Sequence, residues 1–183
     1  MKLRILVIAL VICFSSYSFP VNAEEIGSPE QVIRSYFDEL NKKQLEKAIS
    51  RWDKKTEKDL LDFIADRENQ IQRLGLLNIE KASLVMWKEL PIEYGQQFVP
   101  YHYMEKFKNI KVYYVGVDFE VYSQNEYFID GMNYFLMALV REDGEWKIAL
   151  TPHVPVRSII SDGYGFGTED EKTYDERRLK YLD

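Results

Sequence analysis

The sequence predicts an α+β protein with N-terminal helices, an antiparallel sheet and a polar C-terminal helical tail. Between Ser28 and Gly75, apolar residues recur with a period of about 3.6, as on one face of a helix. After Gly75 the period changes to about two, which is typical of strands. Asp143-Gly144 then supplies the tight turn of a hairpin between two apolar runs.

The first 23 residues have the pattern of a secretory signal peptide. Lys2 and Arg4 precede an apolar run over 5–14, and Val21-Asn22-Ala23 ends the segment with a small residue. The run has about half the length that a permanent bilayer span needs. We therefore expect residues 1–23 to be removed, and a secreted protein, extracellular or in the cell envelope. An uncleaved interfacial anchor and a lipoprotein modified at Cys13 are less favoured alternatives.

Charge and cysteine content exclude several classes of partner and site. Removing residues 1–23, which hold Lys2, Arg4 and no acidic residue, changes the net charge from −6 to −8. This sign repels nucleic-acid phosphates and anionic lipid, and no second apolar span predicts an integral membrane segment. Cys13 is the single cysteine, so a chain starting at Glu24 has no disulfide and no thiolate site.

Three helices are expected in the N-terminal half. Ser28-Pro29-Glu30-Gln31 predicts a capped start with a capping box, and the helix runs to about Asn41. A short helix follows from Leu45 and ends near the charged turn Asp53-Lys54-Lys55. A third is expected from Thr56 to a left-handed stop at Gly75.

The remaining chain reads mainly as strands. A first strand is expected after Ile79, and a loop around Pro91 and Gly95 leads to a short strand near Phe98. Strands are expected over 111–122, 127–141 and 146–150, and Pro152 ends the sheet. Thr168 to Glu171 form a second capping box that opens the tail helix, which extends to about Tyr181.

Motifs of common hydrolases, metalloproteases and phosphate loops are absent, so we expect no metal site and no cofactor. Asp118 and Glu120 share one strand face, which we interpret as solvated. The glycines at 163, 165 and 167 precede a helix, but the acids after Thr168 oppose phosphate binding there, so a hinge is favoured. His102, Tyr113 and Asp130 are weak acid–base candidates, and Tyr36, Tyr113 and Tyr134 are candidates to line a pocket.

A family resemblance is carried by Ser28 to Phe37, by Leu45 to Ile49, and by the runs 134–140 and 146–150 around Asp143-Gly144. Over 28–152 this pattern resembles the nuclear-transport-factor-two-like superfamily, and above all its small exported bacterial members of unassigned function. The resemblance implies helices packed in the concavity of a strongly curved, cone-shaped sheet. The cone serves as a ligand pocket or an enzyme site in some members, while others bind partners or form a homodimer through the sheet.

The expected organisation is a signal peptide (1–23), one domain of this fold (24–155) and a C-terminal extension (156–183). We expect a secreted, non-enzymatic binding or interaction module for an unknown small molecule or protein partner, with the sheet offering a homodimer face. The alternative is a cone-pocket enzyme that transfers protons without metal, as an isomerase or dehydratase does. Such an enzyme needs an inward carboxylate with a donor opposite it.

Overall fold

The computed structural model describes residues 27–153 and 155–181. The expected signal peptide, Cys13 and the expected mature start at Glu24 lie outside the described residues. Within them the chain is an α+β protein.

The N-terminal helices are α1 (Pro29–Asn41), α2 (Leu45–Ile49), α3 (Lys54–Ala65) and α4 (Arg67–Gln72). Ser28 caps α1 as expected, since its hydroxyl accepts a hydrogen bond from the amide of Gln31 at 3.2 Å. The Gln31 side chain donates through Nε2 to the Ser35 hydroxyl at 3.1 Å, and no hydrogen bond from the Ser28 amide back to Gln31 is found among the described residues.

The expected third helix is two helices. Asp66 ends α3 because its backbone is extended. Its carboxylate accepts a hydrogen bond from the amide of Asn69, so Asp66 also caps the start of α4. Gly75 has the expected left-handed backbone, with φ of 55°, but α4 already ends at Arg73, which is also left-handed with φ of 52°, and Gly75 begins a short 3-10 turn. A short polar side chain that can cap thus breaks a helix that apolar spacing alone predicts to continue.

The described residues form one open, four-stranded antiparallel sheet in the order β1-β2-β3-β4. The strands are β1 (Ile79–Glu89), β2 (Ile110–Val121), β3 (Gly131–Glu142) and β4 (Glu145–Leu150). The Asp143-Gly144 turn is confirmed, with φ of 50° and 88°. The segment between β1 and β2 contains α5 (Ile92–Gly95) and α6 (Tyr101–Lys106), so the strand expected near Phe98 is wrong; this residue lies in a 3-10 turn.

The sheet is covered on both faces. On one face Tyr113, Val115 and Phe119 of β2 belong to a core cluster with Tyr36 and Leu40 of α1. On the other face, Tyr114 and Tyr134 pack in a second cluster with the segment that contains α7 (Val156–Ser161) and α8 (Glu169–Leu179). The expectation of one solvated face therefore holds at Asp118 and Glu120, which are exposed, and fails near Tyr114.

Candidate functional site

A cavity of about 730 Å³ lies between the N-terminal helices and one end of the sheet. Its lining is mostly aromatic and aliphatic. It includes Tyr36, Phe37, Leu40, Trp52, Leu60, Phe63, Leu76, Ile79, Phe119, Phe128 and Phe135. The wall therefore favours a ligand with a large apolar surface.

The deep part of the cavity is held by α1 and by the segment after α2. Tyr36 and Phe37 make an edge contact at 5.1 Å between ring centroids, and Tyr36 meets Trp52 edge-on at 6.0 Å. The backbone around Trp52 is tied to β4, since the amide of Asp53 donates to the Ile148 carbonyl at 2.8 Å. This bridge fixes the indole against the cavity wall.

The hydroxyl of Tyr36 is a polar group on this apolar wall. The residue is only 5% exposed, and burial raises the pKa of its phenol, while the nearby Trp52 indole opposes the rise. The Trp52 indole nitrogen faces this hydroxyl but lies outside ordinary hydrogen-bond geometry, so Trp52 Nε1 is buried without a close partner among the described residues. Buried polar groups usually have partners, so this end of the cavity has donor capacity that the fold does not use.

The mouth of the cavity is marked by the lining residues that are exposed or half-buried away from α1: Leu74 and Gly75, the loop between β2 and β3, and Thr151, His153 and Tyr181. In the loop, the carboxamide oxygen of Asn125 accepts from the amides of Tyr127 and Phe128, both at 2.9 Å. Arg178 of α8 donates through Nε to the Glu126 carbonyl at 2.6 Å. The C-terminal helix and the loop are therefore joined at the mouth.

His153 lies at the mouth beside Tyr127, with 5.9 Å between ring centroids. The residue as a whole is exposed to solvent, but its ring lines the cavity and is partly covered there. Partial burial lowers the pKa of His153, and the positive charge of Arg178 adds to this effect. A neutral imidazole with both donor and acceptor capacity is thus favoured at the mouth.

The structure places only one of the three expected pocket tyrosines in the cavity. Tyr36 lines it, whereas the Tyr113 hydroxyl donates to Glu30 at 2.5 Å, with Glu89 at 3.1 Å, away from the cavity lining. Tyr134 lies on the other face of the sheet, with its hydroxyl 3.0 Å from that of Thr168. The alternation of residues along a strand predicts which face of the sheet a side chain lies on. It does not predict at which end of that face the cavity lies.

The three acid–base candidates are not brought together. His102 is exposed on α6 beside Tyr103, and Asp130 is exposed with its carboxylate accepting from the Val121 amide at 2.9 Å. Tyr113 is held by carboxylates as described above. Among the described cavity-lining residues, Glu126 at the mouth is the one carboxylate.

From the sequence, His153 has the same weight as His102, and the cavity residues Trp52 and Phe135 are not singled out. Their spacing is the same as that of core residues, so no periodic signal separates a side chain that fills the core from one that lines a cavity. His153 follows β4 beside prolines, and only its tertiary neighbours distinguish it from His102.

Fold and cavity together define an α+β protein with a large aromatic-lined cavity at one end of an antiparallel sheet. Residues 30–150 match the family described as Domain of unknown function (DUF4829), so the chain belongs to that family. Searches of curated proteins and of solved structures return no match. Across residues 27–153 and 155–181, no helix has the length and apolar content of a bilayer span, and no three His, Cys, Asp or Glu side chains are grouped to hold a metal ion.

Proposed function

We propose that this protein is an exported, non-enzymatic binding module that holds a small, mainly apolar molecule in the cavity. The observation that carries the proposal is a cavity of about 730 Å³ with a mainly aromatic and aliphatic wall. The pocket is open to solvent, so its aromatic and aliphatic wall stays in contact with water, and an apolar ligand that covers this wall gains the free energy of removing it from water. Ligand pockets commonly span about 300–1,000 Å³.

The same proposal assigns the nuclear-transport-factor-two-like fold to the chain. It is supported by N-terminal helices on one face of an open antiparallel sheet and by a cavity between the two layers. Export is supported by the pattern of residues 1–23 alone.

Binding is better supported than proton transfer. A cone-pocket isomerase needs a carboxylate base inside the cavity, with a donor facing it across the substrate. The described lining offers the Tyr36 hydroxyl as a donor, but its one carboxylate, on Glu126, lies at the mouth.

A homodimer through the second face of the sheet is not favoured by the packing. The segment with α7 and α8 covers Tyr114, Tyr134 and Leu136 on that face. A second copy would have to displace this segment or use another surface.

The test is binding of the neutral fluorophore N-phenyl-1-naphthylamine to the purified protein. Leu60→Trp adds volume inside the cavity and should weaken binding at least about tenfold, since overpacking is costly. Leu61→Trp is the matched control, because this neighbour on α3 lines a separate groove near Leu45. Absence of binding by the unmodified protein, or equal loss in both variants, would count against the proposal.

A further inference from the structure

Of the two histidines in the chain, His153 lies in the wall of the cavity and His102 does not. The ring of His153 contacts the ring of Tyr127 at a tilt, with 5.9 Å between the centroids. Tyr127 also lines the cavity, so the two rings are adjoining parts of one wall. A molecule that fills the cavity up to its mouth therefore lies against this imidazole.

The charged side chains that act on His153 come from two elements and include one base and one acid among the described residues. Arg178 of α8 disfavours the protonated imidazole, and Glu126 of the β2–β3 loop favours it. The two elements are joined here, because Arg178 Nε donates to the Glu126 carbonyl at 2.6 Å. Tyr127 and Tyr181 are the titratable phenols in this part of the wall. The nearby Glu126 carboxylate raises the pKa of Tyr127, so this phenol stays neutral in acid.

Burial decides between the two opposed charges. A protonated imidazole needs hydration that the partly covered ring lacks, and this effect on the pKa of His153 is larger than that of Arg178 or of Glu126. A neutral imidazole has one donor and one acceptor and is covered at a much smaller cost. The wall at His153 is therefore suited to an apolar ligand in the neutral state of the ring and opposes it in the charged state.

We infer that ligand binding and protonation of His153 oppose each other, so that the protein binds its ligand at neutral pH and releases it in mild acid. The inference rests on the proposed function for the identity of the cavity as a binding site. An apolar ligand against the ring removes water that the charged imidazole needs and offers no hydrogen bond in its place. The ligand therefore binds more weakly to the protonated protein than to the neutral one.

The direction of the pH dependence follows from this coupling. The ligand increases the burial of the ring, so the pKa of His153 should be lower in the ligand-bound protein than in the ligand-free protein. The affinity is then fully present above the pKa of the ligand-free protein and falls as the pH decreases through it. The coupling is reciprocal, so the factor by which protonation weakens ligand binding equals the factor by which the ligand weakens protonation.

The experiment is titration of the purified protein with N-phenyl-1-naphthylamine at pH 8 and at pH 5. This diarylamine is neutral at both pH values, so a change in its affinity reports a change in the protein. The dissociation constant should be at least about fivefold larger at pH 5, since each unit by which the ligand lowers the pKa contributes up to about tenfold. Far-UV circular dichroism at both pH values measures whether the fold is retained.

His153→Gln removes the titrating ring and leaves a neutral polar side chain at the mouth. In this variant the dissociation constants at pH 5 and pH 8 should differ by less than about twofold, because no group that the ligand covers changes its charge. His102→Gln is the matched control, because His102 is exposed on α6 and lies outside the cavity lining. The control should retain the full pH dependence.

Glu126→Gln and Arg178→Gln should move the pH dependence in opposite directions. Without the Glu126 carboxylate the protonated ring loses a favourable neighbour, so the midpoint should move to lower pH. Without the Arg178 guanidinium an unfavourable neighbour is lost, so the midpoint should move to higher pH. NMR titration of the His153 ring measures these midpoints directly, and addition of the fluorophore should lower the midpoint in the unmodified protein.

The same measurements separate this inference from the proposed function. Equal fluorophore affinity at both pH values, in a protein that stays folded, overturns the inference and leaves the cavity as a binding site. A pH dependence that persists in His153→Gln also overturns it, as does a loss of binding at pH 5 that follows unfolding in every variant. Absence of fluorophore binding at pH 8 removes the proposed function, and the inference with it.

Discussion

The hydroxyl of Tyr114 on β2 donates a hydrogen bond of 2.8 Å to the buried carboxylate of Glu171 on α8. The amides of Phe166 and Gly167 donate to the same carboxylate at 2.9 and 2.8 Å. The glycine-rich loop before α8 therefore binds an anion, but the anion is the chain's own side chain. This contact fixes a mostly polar helix to the sheet.

Glu171→Gln should destabilise the protein by about 1–3 kcal/mol. The amide nitrogen of glutamine would face the backbone donors of the loop, so a buried hydrogen bond is lost and a donor is left without a partner. Urea unfolding measures the change. Glu169→Gln, on an exposed residue paired with Lys172, is the control and should change stability by less than about 1 kcal/mol. Equal effects of the two substitutions would show that the carboxylate of Glu171 does not anchor α8.

Replacing Tyr36 and replacing Tyr114 by phenylalanine should lower the free energy of unfolding by different amounts. Tyr36→Phe should change the free energy of unfolding by less than about 1 kcal/mol, since the hydroxyl makes only a loose contact with the Trp52 indole nitrogen. Tyr114→Phe should lower it by about 1–3 kcal/mol, because the Glu171 carboxylate loses a donor. Thermal and urea unfolding of both variants provide the comparison. A cost at Tyr36 as large as at Tyr114 would mean that the Tyr36 hydroxyl already serves the fold.

His153 should titrate below its ordinary pKa of 6.5. The folded chain favours neutral imidazole, so below pH 6.5 the unfolded chain binds more protons than the folded one. The stability contributed by His153 is thus fully present above pH 6.5 and is lost as pH falls through the lowered pKa. NMR titration of a tag-free chain measures this directly, and His102→Gln assigns the signal because the chain has two histidines. A midpoint at or above 6.5 would contradict the partial burial of the ring.

Asn41 should protect the outer edge of β1. Its carboxamide donates to the Ala82 carbonyl at 2.8 Å and accepts from the Ala82 amide at 2.7 Å, as a neighbouring strand would. Asn41→Ala should lower the free energy of unfolding by about 1–3 kcal/mol and increase self-association, because an open strand edge pairs with other chains. Urea unfolding and sedimentation velocity test the two effects. Asp38→Ala, which removes an exposed ion pair with Lys42, should produce neither.

Local chemistry was sufficient to predict some elements. The start of α1 follows from Ser28 and Pro29, and the β3–β4 turn from Asp143 and Gly144, because capping and positive φ depend on neighbouring residues only. The break at Asp66 and the short helices between β1 and β2 were missed. The apolar spacing around Asp66 predicts continuity, and α5 and α6 are too short to show a period.

The sequence by itself determined that helices precede an antiparallel sheet, where the β3–β4 hairpin turn lies, and how many aromatic residues are available for a core. Tertiary structure decided which aromatic side chains fill the core and which line the cavity. Tyr36 lines the cavity, while Tyr134 lies beneath α8 on the opposite face of the sheet. It also decided that the polar C-terminal helix packs on the sheet through two buried residues, the carboxylate of Glu171 and the ring of Tyr174. Periodicity reports the direction of a side chain relative to its own backbone, but a cavity and a buried anion site are formed by residues distant in sequence.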